Sequence, residues 1–138
     1  MKKMKIVSFV YCEDVQNNPQ GKAVITGPMQ LMAPKFMPTD YSFNVSFGIF
    51  NVPKDGFLLN TEFLDPNGTK ISENTLQVPA LPVDKINLPN LPFGIQVNIG
   101  FRNVPLQITG EYNTVIKLNG EEYGKYPIEV CHEQEQNN

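Results

Sequence analysis

Tryptophan is absent from this sequence, cysteine occurs only twice and histidine only once. A zinc site is built from about four cysteine, histidine or carboxylate ligands at characteristic spacings. One histidine and two cysteines do not form such a site without carboxylates, and no ligand spacing in the chain supports one. The sequence therefore predicts no bound metal and no cofactor.

Charge is also scarce, because Asp, Glu, Lys and Arg together make up 18% of the chain and the net charge is −3 at pH 7. The basic residues are scattered singly, apart from Lys2 and Lys3. Neutralisation of phosphates supplies most of the affinity of nucleic-acid-binding proteins, and it requires a basic stripe. We therefore expect no nucleic-acid partner.

Long apolar runs are missing, and no stretch approaches the ~20 residues that a transmembrane helix needs. The basic start, Met1 to Val10, is similar to the first part of a secretory signal. The polar residues 11–14 end that apolar stretch without a small-residue cleavage site. We expect no membrane contact and a cytoplasmic location, where Cys12 and Cys131 would be reduced thiols.

Helical periodicity is weak throughout, and alternation with a period of two dominates. Tyr41, Phe43, Val45, Phe47 and Ile49 alternate with polar or small residues, as in a strand with one buried face. The same alternation, or a β-branched and aromatic composition, predicts further strands at 5–12, 22–27, 57–64, 95–101, 112–118 and 122–130. Gly124 and Pro127 interrupt the last of these, which indicates an edge strand or a bulge.

Turn signals separate these runs. Asn18 to Gly21 and Asp65 to Gly68 have proline and glycine at turn positions, and Asn119-Gly120 is a strong hairpin signal. Frequent turns between short strands predict an all-β, immunoglobulin-like antiparallel β-sandwich of about seven to eight strands. We expect one domain over residues 1–132 and a polar tail over 133–138.

Two proline-containing segments lack a clear strand pattern. Residues 28–40 contain three methionines with Leu31 and Phe36, which we interpret as core or edge packing rather than as a soft binding surface. Residues 79–92 place five branched apolar residues between four prolines, so we expect an ordered segment packed on a sheet edge. The apolar residues of the two segments are Met29, Leu31, Met32, Phe36 and Met37, and Leu81, Val83, Ile86, Leu88 and Leu91.

Parts of the chain resemble known proteins. Phe9 to Val15, then Gly21 to Gly27 and a proline-containing segment before a Phe-rich strand, resemble a family of small uncharacterised bacterial proteins. The end, with a hairpin at Asn119 to Glu121 and Pro127 to Val130, is similar to that of many immunoglobulin-like domains. The resemblance implies an immunoglobulin-like fold and no assigned activity, and the Cys…Trp…Cys framework of antibody domains is absent.

The cysteines are the first candidates for chemistry. A nucleophilic cysteine needs a base, and the only histidine, His132, directly follows Cys131. Neighbours along a strand point to opposite faces, so these two are poorly placed to form a dyad. We interpret Cys12 and Cys131 as buried structural thiols rather than as a redox pair or a nucleophile.

Carboxylates offer the second set of candidates. The adjacent pairs Glu13-Asp14 and Glu121-Glu122 would diverge on a strand, so solvated residues are favoured over an acid–base pair. The turn from Asp65 to Gly68 lacks the later ligands of a calcium loop, which favours a hairpin. Tyr112 is predicted to hydrogen-bond back across a sandwich corner, which would be a structural role.

These observations leave three functional hypotheses. The favoured one is a non-enzymatic sandwich that binds another protein or self-associates, with no catalytic residues. The alternative is a module that holds a small molecule or carbohydrate against Tyr and Phe side chains. An enzyme is the third and least favoured hypothesis, because no catalytic constellation stands out. A deep polar pocket would favour a ligand, and an apolar patch or two-fold contact would favour assembly.

Overall fold

The computed structural model describes residues 3–80 and 94–132, and its regular structure there consists of nine strands. Their bounds are β1 Lys5–Asn17, β2 Ala23–Met29, β3 Leu31–Met32, β4 Thr39–Phe50, β5 Phe57–Leu64, β6 Lys70–Val78, β7 Gly94–Leu106, β8 Gly110–Leu118 and β9 Glu121–Val130. Within those ranges no helix is long and apolar enough to cross a membrane.

The strands form two sheets. The first, sheet A, has the order β2-β1-β4-β7, and the second, sheet B, has the order β3-β9-β8-β5-β6. All pairings are antiparallel except that between β3 and β9, which is parallel. The chain passes from sheet A to sheet B between β2 and β3, at Gln30.

The core lies between the sheets and is rich in aromatic rings. Phe43 of sheet A stacks on Phe101, with ring centroids 4.9 Å apart, and its ring is also 4.9 Å from Phe63 of sheet B. Phe63 in turn stacks on Tyr112 at 5.5 Å. These contacts join both sheets through side chains that the alternation of β4, β5, β7 and β8 directs inward.

A tyrosine corner closes the loop between β7 and β8. The hydroxyl of Tyr112 donates a hydrogen bond to the carbonyl oxygen of Ile108 at 2.6 Å. This confirms the structural role predicted for Tyr112. Two packed sheets, a strand that changes sheets and a tyrosine corner make the protein an immunoglobulin-like β-sandwich, so the predicted fold class is confirmed.

The strand prediction was incomplete in two places. The short β3 and the nine-residue β6 were missed, so there are nine strands rather than seven or eight. β6 is mostly polar, and most of its side chains are exposed or half-buried, which removes the alternation signal. β4 also differs, because its polar residues Asn44 and Ser46 are buried too. Side chains of β7 cover these two residues on the outer face of sheet A, because Gln96 and Asn98 bond Ser46 and Arg102 bonds Asn44.

The segment 28–40 largely packs into the core, as predicted. Met32 is fully buried, and Met29 and Met37 lie half-buried against the core. Leu31 and Phe36 are the exceptions, because their side chains are 42% and 76% exposed. The interruption at Gly124 is a bulge, since the pairing of β8 with β9 shifts between Ile116 and Lys117.

Other predictions fall outside the described residues. Most of the apolar segment 79–92 and the whole tail 133–138 lie there, so the packing of Ile86 and Leu88 stays a prediction. The predicted domain bounds, 1–132, stay a prediction as well.

Candidate functional site

The hairpin that joins β1 and β2 is shaped by one asparagine. The side-chain oxygen of Asn18 accepts the N–H groups of Gln20 at 3.0 Å and of Lys22 at 2.9 Å. Gly21 has a φ of +78°, a left-handed conformation that glycine adopts without strain. The turn predicted from Asn18 to Gly21 is therefore confirmed, and it returns the chain along the border of sheet A.

β2 is an edge strand whose apolar side chains face solvent. It pairs with β1 and forms one border of sheet A. Val24 and Ile25 are neighbours on the strand, so they point to opposite faces, and they are 46% and 38% exposed. None of the seven residues of β2 is charged. A strand of this kind presents apolar side chains on both faces and an unprotected edge.

The hydrogen bonds of the hairpin show which backbone groups face outward. Asn18 donates its N–H to the carbonyl oxygen of Lys22 at 2.8 Å, so that carbonyl points toward β1. Backbone groups of successive residues in a strand point to alternate sides. The N–H and C=O groups of Ala23 and Ile25 therefore point away from β1, along the outer edge.

The other long edge strands of the described chain carry features that discourage strand pairing. β6 contains Lys70 and Glu73, which form an ion pair. β7 contains Arg102, a left-handed Asn103 with φ +54°, and Pro105. Charges, irregular backbone and proline on an edge protect a sheet against added strands. β2 also contains a left-handed residue, Gly27 with φ +64°, and a proline, Pro28, but both lie near its end. Among the strands at residues 3–80 and 94–132, residues 23–26 of β2 therefore form the least protected stretch of regular edge.

Charge is distributed unevenly along the β1–β2 hairpin. Lys22 lies just before β2, whereas Glu13 and Asp14 lie on β1 beside the end of β2, with Asp14 opposite Thr26. Gly27 has a φ of +64°, and a β-carbon there would lie 2.6 Å from the carboxyl carbon of Glu13. Because Gly27 has no side chain, Glu13 can extend across β2 toward its edge.

The outer face of sheet A is a second candidate surface. Ser46 donates a hydrogen bond to the Oδ1 of Asn98 at 2.7 Å and accepts one from the Nε2 of Gln96 at 2.6 Å. These bonds leave the Nδ2 of Asn98 and the Oε1 of Gln96 for other partners. The half-exposed ring of Phe50 lies directly over Gly94, two residues before Gln96. An aromatic face thus adjoins an oriented pair of amides.

A shallow pocket of about 210 Å³ lies at one end of the sandwich. Its walls come from the β5–β6 turn and the β7–β8 loop, and they include Asp65, Gln107 and Tyr112. The Tyr112 hydroxyl is used by the tyrosine corner, and burial, with the charge of Asp65 adding to it, raises its pKa. The Tyr112 hydroxyl of this pocket therefore supports the fold.

The two cysteines differ in burial. Cys12 is a fully buried free thiol, and burial raises its pKa, with the nearby charge of Asp14 adding to the effect. Cys131 is only half-buried, which corrects the interpretation of both as buried thiols, because it lies just beyond the end of β9. Its backbone N–H donates to the carbonyl oxygen of Met32 at 2.9 Å.

The carboxylates occupy the positions expected for solvated or turn residues. Glu121 forms an exposed ion pair with Lys3 at 3.2 Å, and Glu122 is exposed. The Oδ1 of Asp65 accepts the N–H groups of Asn67 and Thr69, both at 2.9 Å, which confirms the hairpin turn there. The residues 3–80 and 94–132 contain no group of three His, Cys, Asp or Glu residues able to hold a metal ion.

Sequence reasoning found the strand at β2 but missed its importance. The run Ala-Val-Ile-Thr without a charge was visible, whereas its place at the border of a sheet depends on strand order. The amides of the outer face were visible only as the polar half of two alternating strands. Their convergence on Ser46 depends on the register between β4 and β7.

Comparison with known proteins identifies a family. Residues 7–131 match the model described as "Family of unknown function (DUF6941)". No curated protein matches the chain.

Several solved structures match the structure of the chain at low sequence identity. An immunoglobulin-like protein from Pseudomonas aeruginosa is 12% identical, with a TM-score of 0.49 over 94% of this chain and 98% of that one. A Pseudomonas fluorescens alkylpurine DNA glycosylase, solved with DNA containing an abasic site analog, is 12% identical with a TM-score of 0.48 over 92% of this chain. A Listeria innocua β-glucosidase, in complex with laminaribiose, is 11% identical with a TM-score of 0.45 over 94% of this chain. The chain spans only 30% of the glycosylase and 16% of the glucosidase.

Proposed function

Because the chain belongs to the DUF6941 family of unknown function, we propose a role from its own geometry: a non-enzymatic module that binds a protein by accepting an extended strand on β2. The observation that carries this proposal is the uncharged edge of β2, which has exposed apolar side chains on both faces. Strand addition uses main-chain hydrogen bonds for affinity and alternate side chains for specificity.

Two further properties of the molecule support a binding role rather than catalysis. The thiol of Cys12 is buried and its pKa is raised, so the reactive thiolate is disfavoured. Asp65, the carboxylate beside the shallow pocket, uses its Oδ1 to hold a turn. We place the protein in the cytoplasm, where its partner would be another polypeptide rather than nucleic acid or a membrane.

The proposal is tested with a synthetic extended peptide of alternating valine and threonine and with amide hydrogen exchange measured by NMR. Peptide binding should slow the exchange of the Ala23 and Ile25 amides, because a new strand would accept their hydrogen bonds. Ile25→Pro removes one outward donor and should weaken binding by about tenfold, in line with about 0.5–1.5 kcal/mol for one hydrogen bond plus disturbed pairing.

Thr75→Pro on β6 is the matched control, since Thr75 is exposed on another edge strand and its backbone N–H, like that of Ile25, points away from the neighbouring strand. It should leave peptide binding unchanged once its fold is verified by circular dichroism. Protection of β6 amides instead of β2 amides, or equal binding by Ile25→Pro, would contradict the proposal.

A second candidate function is supported by the outer face of sheet A. The exposed ring of Phe50 beside the oriented amides of Gln96 and Asn98 suits a sugar ring, which offers an apolar face and a rim of hydroxyls. Titration with a soluble glucan should then shift the NMR signals of these three residues. Phe50→Ala should abolish the shifts and Leu58→Ala, on the other sheet, should not. Shifts that survive Phe50→Ala would exclude this site.

A further inference from the structure

The strand that best fits the edge of β2 is β2 of a second copy of this chain. We propose that two copies pair antiparallel through β2 about a two-fold axis at Ile25, so that two four-stranded sheets become one sheet of eight strands. This inference rests on the proposed function, because it names the partner of the same edge.

The positions of the backbone groups fit this register. Ala23 and Ile25 direct their N–H and C=O groups outward. With the axis at Ile25, the Ile25 residues of the two copies face each other and exchange both hydrogen bonds. This arrangement places the two Cα atoms about 5.5 Å apart. A register shifted by one residue would place Ile25 opposite a residue whose N–H and C=O groups point toward β1, so the hydrogen bonds between the two copies would be lost.

The side chains also complement one another about this axis. Ile25 lies opposite Val15 in the β1–β2 pairing, so the two side chains share a face. Pairing at Ile25 extends this contact into a continuous apolar stripe, Val15–Ile25 of one copy followed by Ile25–Val15 of the other. Ile25 is now 38% exposed, and the second copy would cover it.

Charge complementarity favours a second copy over an arbitrary strand. The antiparallel arrangement brings Lys22 of each copy opposite Pro28 of the other, on the same face of the sheet as Asp14 of the adjoining strand. The interface thus contains two equivalent pairs of one base and one acid. Exposed pairs of this kind contribute little affinity, but they select orientation and weaken with salt.

The test is chemical crosslinking at the proposed axis. In a background of Cys12→Ser and Cys131→Ser, the variant Ile25→Cys should form a disulfide-linked dimer on mild oxidation, because disulfides span Cα separations of about 4.4–6.8 Å. Ala23→Cys is the matched control on the same strand. In the proposed register the cysteines at position 23 of the two chains would be four residues apart, about 14 Å, and should not form a disulfide.

Sedimentation equilibrium of the unmodified chain gives the second readout. A single pair of strands buries little surface, so we expect a weak dimer that becomes populated toward millimolar concentration. Ile25→Lys should raise the dimer dissociation constant by about tenfold or more, since like charges directly opposite each other are destabilising. Leu76→Lys, on β6, should not change it.

The outcomes separate this inference from the proposed function. If the chain stays monomeric up to millimolar concentration but still binds the valine–threonine peptide at β2, the second copy is not the partner, and the proposal of strand addition stands. If the Ala23→Cys variant crosslinks as well as the Ile25→Cys variant, the proposed register is overturned. The same holds if Ile25→Lys leaves the dimer dissociation constant unchanged. A monomer that also leaves the Ala23 and Ile25 amides unprotected by peptide would overturn both.

Discussion

At the scale of single residues, Tyr11 shows how a polar group is held inside the sandwich. Its hydroxyl donates to the Oγ1 of Thr114 at 2.7 Å and lies 2.5 Å from the carbonyl oxygen of Tyr126. Tyr11 belongs to sheet A, and both partners belong to sheet B. The ring is buried, so the bonds between the sheets form where water does not compete.

We expect Tyr11→Phe to lower the free energy of unfolding by about 1–3 kcal/mol, because it removes the hydroxyl that lies between Thr114 and the Tyr126 carbonyl oxygen inside the sandwich. Urea denaturation followed by circular dichroism measures the loss. Tyr123→Phe removes the same hydroxyl from a half-buried ring near Lys3 and should change stability by less than about 0.5 kcal/mol. Equal losses in both variants would show that the inter-sheet bonds contribute nothing specific.

At the scale of elements, Asn119 joins the β8–β9 hairpin to β5. It has a φ of +52°, as this turn requires. Its side-chain oxygen accepts the N–H of Leu58 at 2.9 Å, and its backbone N–H donates to the Leu58 carbonyl oxygen at 2.8 Å. The hairpin predicted from Asn119-Gly120 is thus present, and the asparagine has an additional role in holding the start of β5.

Three substitutions at position 119 should separate these two roles by thermal or urea denaturation. Asn119→Ala loses the acceptor and adopts positive φ with strain, so we expect a loss of about 2 kcal/mol. Asn119→Gly keeps the conformation and loses only the acceptor, at about 1 kcal/mol. Asn119→Asp keeps both features and should remain close to the parent. A glycine variant as stable as the parent would mean that the Leu58 contact adds no stability.

At the scale of the whole molecule, buried tyrosines make stability depend on alkaline pH. Burial raises the pKa of Tyr11, Tyr41, Tyr112 and Tyr126 above the ordinary value of 10.0, and the charge of Glu13 adds to the effect at Tyr41. A raised folded-state pKa means that the folded protein binds the phenolic proton more tightly than the unfolded chain does. The stability that this tighter proton binding contributes is fully present below pH 10, and it is lost as the pH rises toward the folded-state pKa values.

We therefore expect the free energy of unfolding to fall as pH rises above 10, measured by urea denaturation at a series of pH values. Tyr11→Phe should show a shallower fall, so the difference between the parent and this variant should shrink as pH rises. Parallel curves for the two proteins above pH 10 would show that Tyr11 does not keep its proton in the folded state.

The amino-acid sequence by itself determined the fold class and most of the strands. Alternation with a period of two is a local property, and it placed β4 and β8 within two residues of their observed bounds, whereas the strand predicted at 95–101 ended five residues before the end of β7. Turn residues such as Asp65 and Gly68 act through hydrogen bonds to their immediate neighbours, so their roles were readable without the fold. Tyr112 was identified for the same reason, since its partner lies only four residues away.

Only the tertiary structure decided which strand forms an unprotected edge and which amides meet. The exposure of Val24 and Ile25 follows from the place of β2 at the border of sheet A, and strand order is a long-range property. Ser46 meets Gln96 and Asn98 through the register of strands about fifty residues apart in sequence. Local patterns report which face of a strand is apolar, whereas its neighbours are set by packing of the whole sandwich.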